Sequence, residues 1–278
     1  MKKIFFLAIF IFFFTALISC KKDSDTASFT FPLQTGNYWE YIRIIKFTEP
    51  GSDSLSSFIP LCDTASVTMQ ITAQRTFADT ARTYEFVAVL YNDNSHYQST
   101  TFYHPRKNGL YRYAYKNAGA PVFPKQNQAI SIRFRGKAYN SVSSLFRVLE
   151  CQSPFAKTGR DSLIIEIPAP RVYKYPFKTG EQWTFIDKDD IRIAKQVSGK
   201  EKLELDCGTF SCYTVDWFYD FDNDGTWDED ITLTDYVNNK GLIYRKLAVY
   251  GIVFTDIHGE ELGSKDFYET YTLTAFNL

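Results

Sequence analysis

The densest run of acidic side chains in this sequence reads DFDNDGTWDED and begins at Asp220. Asp220, Asp222, Asp224 and Asp228 are spaced around a glycine in the order D-x-D-x-D-G-x-x-D. Calcium takes six to eight oxygen ligands, and a glycine permits the sharp turn that brings such ligands together. The spacing therefore predicts a calcium loop in which these four carboxylates and the backbone carbonyl of Thr226 are ligands.

The loop departs from an EF-hand at its twelfth position, where Ile231 stands in place of the bidentate glutamate. Glu229 or Asp230 would have to supply that ligand, so weak affinity is expected. The alternative is an acidic hairpin tip, because Asn-Asp-Gly favours a turn and acidic residues keep a sheet edge soluble. The sequence leaves both interpretations open.

The sequence has five cysteines, and those after Cys20 allow three disulfide pairings outside the cytoplasm. Cys207 and Cys212 bracket a predicted turn between two strands, where cross-strand positions lie within disulfide reach. That pairing would leave Cys62 with Cys151. The alternative is four reduced thiols. A C-x₄-C pair without a second pair or a nearby histidine is a poor zinc site.

Catalytic motifs are missing from the sequence. It contains no G-x-S-x-G, H-E-x-x-H, Walker loop or dinucleotide fingerprint, and only three histidines. We therefore predict a non-catalytic protein; a glycan-active enzyme would require a pair of carboxylates at a defined separation. A net charge of -1 excludes a nucleic-acid binder that relies on an overall basic field.

The N-terminus predicts export and lipidation. A basic Met1–Lys3 precedes the apolar run Ile4–Ile18, whose length suits a signal peptide rather than a membrane-spanning helix. The run ends in Leu-Ile-Ser-Cys, which resembles the bacterial lipobox. We predict a signal peptide over residues 1–19 and a flexible tether over 20–30 that begins with lipidated Cys20. An ordinary secretory signal with an incidental cysteine is the alternative.

The residue after the lipobox cysteine is Lys21, so the aspartate of the usual inner-membrane retention signal is missing. This predicts an outer-membrane lipoprotein that faces the periplasm or the cell surface.

Alternation of apolar and polar residues dominates the rest of the chain. Clear examples are Val67–Ala73, Ile130–Phe134 and Tyr271–Ala275; a further strand-like run is Leu145–Leu149. About a dozen strands with one wet face predict an all-β fold, either a curved, half-open antiparallel sheet or a barrel-like sandwich.

Two segments repeat 144 residues apart. FPLQTGNYWEY, which contains Trp39, aligns with YPFKTGEQWTF, which contains Trp183. Farther along, NGLYR is echoed by KGLIYR, and Pro-Ala-Pro at 168–170 marks a boundary. We predict two related β halves, over residues 31–167 and 168–278. Both tryptophans are expected to fill equivalent core positions, and ligand stacking is the alternative.

The same segments, with GTFSCY at 208–213 and DYV to GLI at 235–243, resemble a group of Gram-negative lipoproteins. This group is described beside TapB-like proteins and, more distantly, LolA/LolB-like lipoprotein carriers. The resemblance implies a half-open antiparallel sheet with an apolar concave side, and it implies no activity.

Together these features predict a lipoprotein that binds an apolar small molecule or an envelope protein on its curved sheet, with no nucleic-acid partner. Aromatic residues make up 17% of the chain, more than an ordinary core requires. The alternative is a purely structural envelope protein with a packed core.

Overall fold

The computed structural model describes residues 29–48, 62–77, 81–92, 95–117, 130–149 and 163–278, which form fifteen strands and one short helix. Residues 1–19, Cys20 and Cys151 lie outside this part of the chain. The elements are β1 (Tyr38–Thr48), β2 (Cys62–Phe77), β3 (Ala81–Asn92), β4 (Ser95–Arg106), β5 (Gly109–Asn117), β6 (Ser131–Phe134), β7 (Lys137–Tyr139), α1 (Val142–Val148), β8 (Ile164–Ile165), β9 (Arg171–Lys174), β10 (Gln182–Lys188), β11 (Ile191–Leu205), β12 (Gly208–Asp220), β13 (Ile231–Asn238), β14 (Gly241–Thr255) and β15 (Glu261–Asn277).

The strands form one antiparallel sheet in the order β10-β11-β12-β13-β14-β15-β1-β2-β3-β4-β5-β8. Two meanders, β1 to β5 and β10 to β15, are joined because β1 pairs with β15 from Tyr38–Asn277 to Thr48–Asp266. Outside this path, β6 pairs with β14 and β7, and β9 pairs with β5. Most of the sheet is therefore built from hairpins between consecutive strands.

The sheet curls until its two ends lie close together. On the inner face, the guanidinium of Arg112 on β5 is 5.2 Å from the ring centre of Phe185 on β10. The indole N–H of Trp183 on β10 donates to the carbonyl of Arg171 on β9 at 3.0 Å. β10 and β8 nevertheless remain the two ends of the hydrogen-bonded order. The predicted all-β fold, a curved and half-open antiparallel sheet, is confirmed.

Two hydrophobic clusters fill the inner face, and a belt of buried charged residues separates them. On each of five strands, the belt residue has a member of the first cluster two positions away on one side and a member of the second cluster on the other. We define the charged belt by these five residues: Arg43, Lys195, Asp235, Arg245 and Glu269.

The belt is held together by two buried ion pairs. Arg43 Nε lies 2.5 Å from a carboxylate oxygen of Glu269. Arg245 contacts Asp235 through two nitrogens, at 2.5 and 2.9 Å. Charges removed from water are tolerated when they are paired and hydrogen-bonded in this way.

A short helix stands where a strand was predicted. The run Leu145–Leu149 belongs mostly to α1, so that strand prediction is wrong. Ser141 and Ser144 form a reciprocal cap, each hydroxyl oxygen accepting the other's N–H at 3.1 Å. The buried residues follow the i, i+3, i+4, i+7 spacing of a helix that covers the first cluster: Val142, Leu145, Phe146 and Leu149.

The predicted tether includes a residue, Phe29, that belongs to the folded body. Phe29 is buried, and its ring stacks on Phe177 with centres 4.2 Å apart. The N–H of Phe31 donates to the hydroxyl of Tyr175 at 3.0 Å. The boundary at residue 30 is therefore wrong, because burial of an aromatic ring holds the chain from Phe29 onward.

Both repeat tryptophans are buried, and the turns that precede them have the same hydrogen bonds. Gly36 N–H donates to Ile71 carbonyl at 2.8 Å, and Gly180 N–H donates to Val197 carbonyl at 2.7 Å. In each case the residue after the glycine accepts a bond in return, at 2.9 and 3.1 Å. These matched contacts support the proposal that the chain consists of two related halves.

Among the described residues, no helix is long and apolar enough to cross a membrane.

Candidate functional site

A cleft opens between the two ends of the sheet. Residues Trp183–Lys188 of β10 form one wall, and residues Glu166–Arg171 form the other. Tyr111 and Tyr115 of β5 complete the lining. The volume is about 650 Å³, which is in the range of known small-molecule sites.

A run of exposed aliphatic side chains over residues 163–167, called the lip below, leads into the second wall of the cleft. Leu163, Ile164 and Ile165 are 41%, 39% and 43% exposed, and Ile167 is 90% exposed. Within the described chain, β8 is hydrogen-bonded on one side alone, to β5. Apolar side chains on such an edge are typical of surfaces that pair with another polypeptide.

One ion pair and several hydrogen bonds fix this lip to the sheet. Arg112 donates from Nε and Nη2 to the two carboxylate oxygens of Glu166, at 2.5 and 2.7 Å. The backbone N–H of Glu166 donates to the carbonyl of Tyr113 at 2.9 Å. On the β9 side, Arg171 Nε donates to the hydroxyl of Tyr111 at 2.8 Å. A two-point arginine–carboxylate contact restricts orientation as well as distance, so the lip is preformed.

The charged belt approaches the cleft from inside. Lys195 Nζ lies 4.0 Å from the ring centre of Phe185, which lines the cleft, and 3.5 Å from that of Trp217. Trp217 Nε1 donates to Asp235 at 3.0 Å. The Nη1 atom of Arg245 has no hydrogen-bond partner among the described residues. Aromatic faces stabilise these buried cations, so β10 is tied to the belt.

Two tyrosines lie within electrostatic range of the Arg245–Asp235 pair. Burial raises the pKa of Tyr103 to about 12, although Arg112 and Arg245 lower it. Burial also raises the pKa of Tyr173 well above its ordinary value. Both side chains are therefore neutral at physiological pH.

The acidic loop brings three of its predicted calcium ligands together. Asp220, Asp222 and Asp224 each place a carboxylate oxygen within 4.8 Å of the others. Asp220 is buried, and its carboxylate accepts the N–H groups of Asp224 and Gly225 at 2.9 and 3.0 Å. The N–H of Thr226 donates to the Asp224 carboxylate at 2.7 Å. This oxygen-rich set suits a hard cation such as calcium.

Asp228, the fourth predicted carboxylate ligand, is engaged elsewhere. It accepts the N–H of Phe221 at 2.8 Å and forms an ion pair with Arg135 at 2.7 Å. Arg135 also contacts Asp230 at 3.0 Å. Burial raises the pKa of Asp228, although the Phe221 N–H and Arg135 act in the opposite direction. A bound cation would have to compete with Arg135 for this carboxylate.

The hairpin cysteines are free thiols. Leu205 pairs with Gly208, so Cys207 lies in the turn, whereas Cys212 pairs with Glu201 farther along the strands. The two residues are not cross-strand partners, and the predicted disulfide is not formed.

Cys207 and Cys62 have different surroundings. The thiol of Cys207 donates to the carbonyl of Leu273 at 3.2 Å. Cys62 is exposed at the start of β2. Because Cys151 lies outside the described residues, its pairing with Cys62 stays a prediction, as does lipidation of Cys20.

Neither the charged belt nor the cleft was predicted from the sequence. The belt had a signal in the sequence: each of its charged residues stands in phase with the apolar residues of its strand, as Lys195 does with Ile193 and Val197. The cleft had none, because the apolar run Leu163–Ile167 is equally consistent with a buried strand.

No protein-family model matches this chain, and no curated protein matches it. A solved structure with some similarity comes from Bacteroides fragilis and is described as inferred to be exported, with a YmcC-like fold. The two chains are 10% identical and superpose with a TM-score of 0.30, over 89% of this chain and 100% of the other. A similarity this low carries no inference about function.

Proposed function

We propose that this protein is a non-catalytic lipoprotein of the outer membrane that binds a partner protein at the cleft between β10 and residues Glu166–Arg171. The observation that carries this proposal is the exposed aliphatic lip, Leu163–Ile167, which contains the edge strand β8 and leads into this cleft. A partner that covers these side chains would gain about 25 cal/mol for each Å² of apolar surface removed from water.

The cleft supports a protein partner better than the concave face supports a small apolar ligand. Two hydrophobic clusters already fill the concave face, and α1 covers one of them. An extended segment is the simplest occupant, because the outer edge of β10 can accept a further strand through backbone hydrogen bonds. A purely structural role with no partner is the alternative.

Site-specific photo-cross-linking in the native cell envelope tests the partner. A photoreactive residue replaces Ile167 in the lip, and the control replaces Ile257, which is 71% exposed in the turn between β14 and β15. We expect a protein adduct of defined mass from position 167 and none from 257. Ile165→Lys should reduce the yield severalfold by placing a charge in the interface.

Two results would count against the proposed partner site. Equal adducts from both positions would indicate random collisions, and no adduct from either position would favour the structural role.

The lipid anchor rests on the lipobox that ends at Cys20. Lipid modification of this cysteine would hold the folded body at the membrane, since two acyl chains already give stable anchoring. We expect Cys20→Ala to lose membrane association in cell fractionation. If the variant still sediments with membranes, the anchor is wrong.

A second candidate function is calcium binding by the acidic loop. It is supported by the convergence of Asp220, Asp222 and Asp224 within 4.8 Å. The ion would offset the repulsion between these carboxylates and would stabilise the folded state by mass action.

Thermal unfolding with and without calcium tests this candidate. We expect calcium to raise the Tm of the wild type and of Asp189→Asn, an exposed acid in the turn between β10 and β11. Asp222→Asn should lose most of the rise. A Tm that calcium leaves unchanged in the wild type would remove the candidate.

A further inference from the structure

A second, smaller pocket lies at the end of the β11–β12 hairpin, beside the turn between β13 and β14. Its volume is about 260 Å³. Phe29, Phe210 and Cys212 are its buried lining residues. Around them lie polar side chains of β11, β12, β13 and the turn after β13: Lys200, Thr209, Ser211, Asn238, Asn239 and Lys240.

The charged residues that line this pocket are all positive. Lys200 and Lys240 are its two lysines, and no aspartate or glutamate is among the described residues that line it. Hydroxyl and amide groups supply further hydrogen-bond donors. A site with two ammonium groups and no carboxylate favours an anion.

Aromatic rings hold both lysines in place. Lys200 Nζ is 4.6 Å from the ring centre of Tyr213, and Lys240 Nζ is 4.8 Å from that of Phe276. The backbone N–H of Lys240 donates to the side-chain oxygen of Asn238 at 2.8 Å, which fixes the turn. Both lysines are exposed side chains of one pocket, and each ammonium group lies near an aromatic ring.

The position of the pocket connects it to the predicted anchor. Phe29 lines the pocket and lies nine positions after Cys20. Nine residues span at most about 30 Å when fully extended. An acylated Cys20 would therefore keep the pocket close to the lipid headgroups, where an anionic surface attracts lysine side chains.

We propose that this pocket binds a phosphate group, and that the lipoprotein uses it to orient its body on an anionic membrane. Phosphate presents several acceptor oxygens to the two ammonium groups and fits the volume with part of a glycerol attached. The pocket alone carries the phosphate chemistry. Its membrane role rests on the lipid anchor proposed above.

Lysine acylation followed by mass spectrometry tests the proposal in two arms. In the first arm, inorganic phosphate is added to the full chain in non-ionic detergent. In the second arm, the protein that carries its lipid on Cys20 is placed in phosphatidylglycerol vesicles. Its lysine labelling is compared with that of the same protein in detergent without phosphate. Lys202, two residues from Lys200 and paired with Glu204 outside the pocket, is the internal control.

We expect acylation of Lys200 and Lys240 to slow severalfold in the vesicles while Lys202 is unaffected. Lys240→Gln should abolish the protection of Lys200, and Lys202→Gln should leave it intact. Protection by inorganic phosphate equal to that in vesicles would assign the site to a free phosphate anion. No protection in either arm would overturn the proposal.

The two arms also test the phosphate site independently of the lipid anchor. If the protein fails to associate with vesicles, the anchor has failed, and the phosphate arm still decides whether the pocket binds the anion.

Discussion

Asp235 is the residue on which the interior electrostatics depend most. It lies between two buried donors, because Arg245 contacts it through two nitrogens and Trp217 donates its indole N–H. Arg245 is only 3% exposed, so water cannot replace the carboxylate. The ion pair stabilises the folded state little more than an apolar pair of the same shape would. Breaking it, however, leaves a buried charge without its counter-charge.

Asp235→Asn should therefore lower the free energy of unfolding by about 3–5 kcal/mol. The control is Glu204→Gln, which removes an ion pair with Lys202 whose side chains are 75% and 68% exposed. That change should cost less than about 1 kcal/mol. Chemical denaturation measures both, and equal losses would mean that the belt is not energetically distinct from the surface.

The cysteines give a second prediction for single residues. Burial raises the pKa of Cys212 to about 12, with Glu201 acting in the same direction, and burial also raises the pKa of Cys207. In native protein at about pH 8, Cys212 should resist alkylation because the thiolate is the reactive form. In denaturant without reductant, mass spectrometry should find both residues labelled. Labelling only after reduction would indicate a disulfide.

The turns that begin β5 and β14 occupy corresponding places in the two meanders. Each contains a glycine that another element approaches closely. A Cβ atom on Gly109 would lie 2.2 Å from the carbonyl oxygen of Tyr173, and one on Gly241 would lie 2.9 Å from Nε1 of Trp39. That nitrogen donates to the carbonyl of Lys240 at 2.6 Å, so the turn and the tryptophan are fixed together.

Gly241→Ala and Gly109→Ala should each destabilise the protein more than Gly259→Ala does. All three glycines have positive φ, but a Cβ atom at Gly259 meets no atom within 4 Å. The extra loss in the free energy of unfolding, relative to Gly259→Ala, measures the steric clash. It should be about 1–3 kcal/mol in denaturation experiments. Three equal losses would show that backbone conformation alone accounts for the cost.

Two partly buried tyrosines make the stability of the whole molecule depend on pH. Burial raises the pKa values of Tyr103 and Tyr175 to about 12, from 10 for an unburied tyrosine. Because the folded-state pKa is the higher one, this stabilisation is complete below pH 10 and is lost as pH rises towards about 12.

The Tm should therefore fall across this interval. Tyr103→Phe should show a shallower fall, because phenylalanine has no proton to lose. Thermal scans at a series of pH values measure both slopes, and parallel slopes would contradict a contribution from Tyr103.

The sequence predicted burial correctly where the pattern within one strand is sufficient. Val67, Met69 and Ile71 alternate with polar residues and are buried on β2, as their period predicts. The same reasoning failed at α1, where a short apolar run fits either a helix or a strand and the serine cap settles the outcome. The three clustered aspartates of the acidic loop were also visible, because a turn brings together residues that are close in sequence.

The sequence by itself determined the alternating strands, the hairpins between them and the acidic loop, because these depend on interactions between near neighbours. Tertiary structure decided the pairing of β1 with β15, the charged belt and the cleft, because each depends on strands that are far apart in the chain. Whether Ile167 is buried or exposed follows from where the curled sheet ends, and that position depends on the packing of both hydrophobic clusters. No local period specifies it.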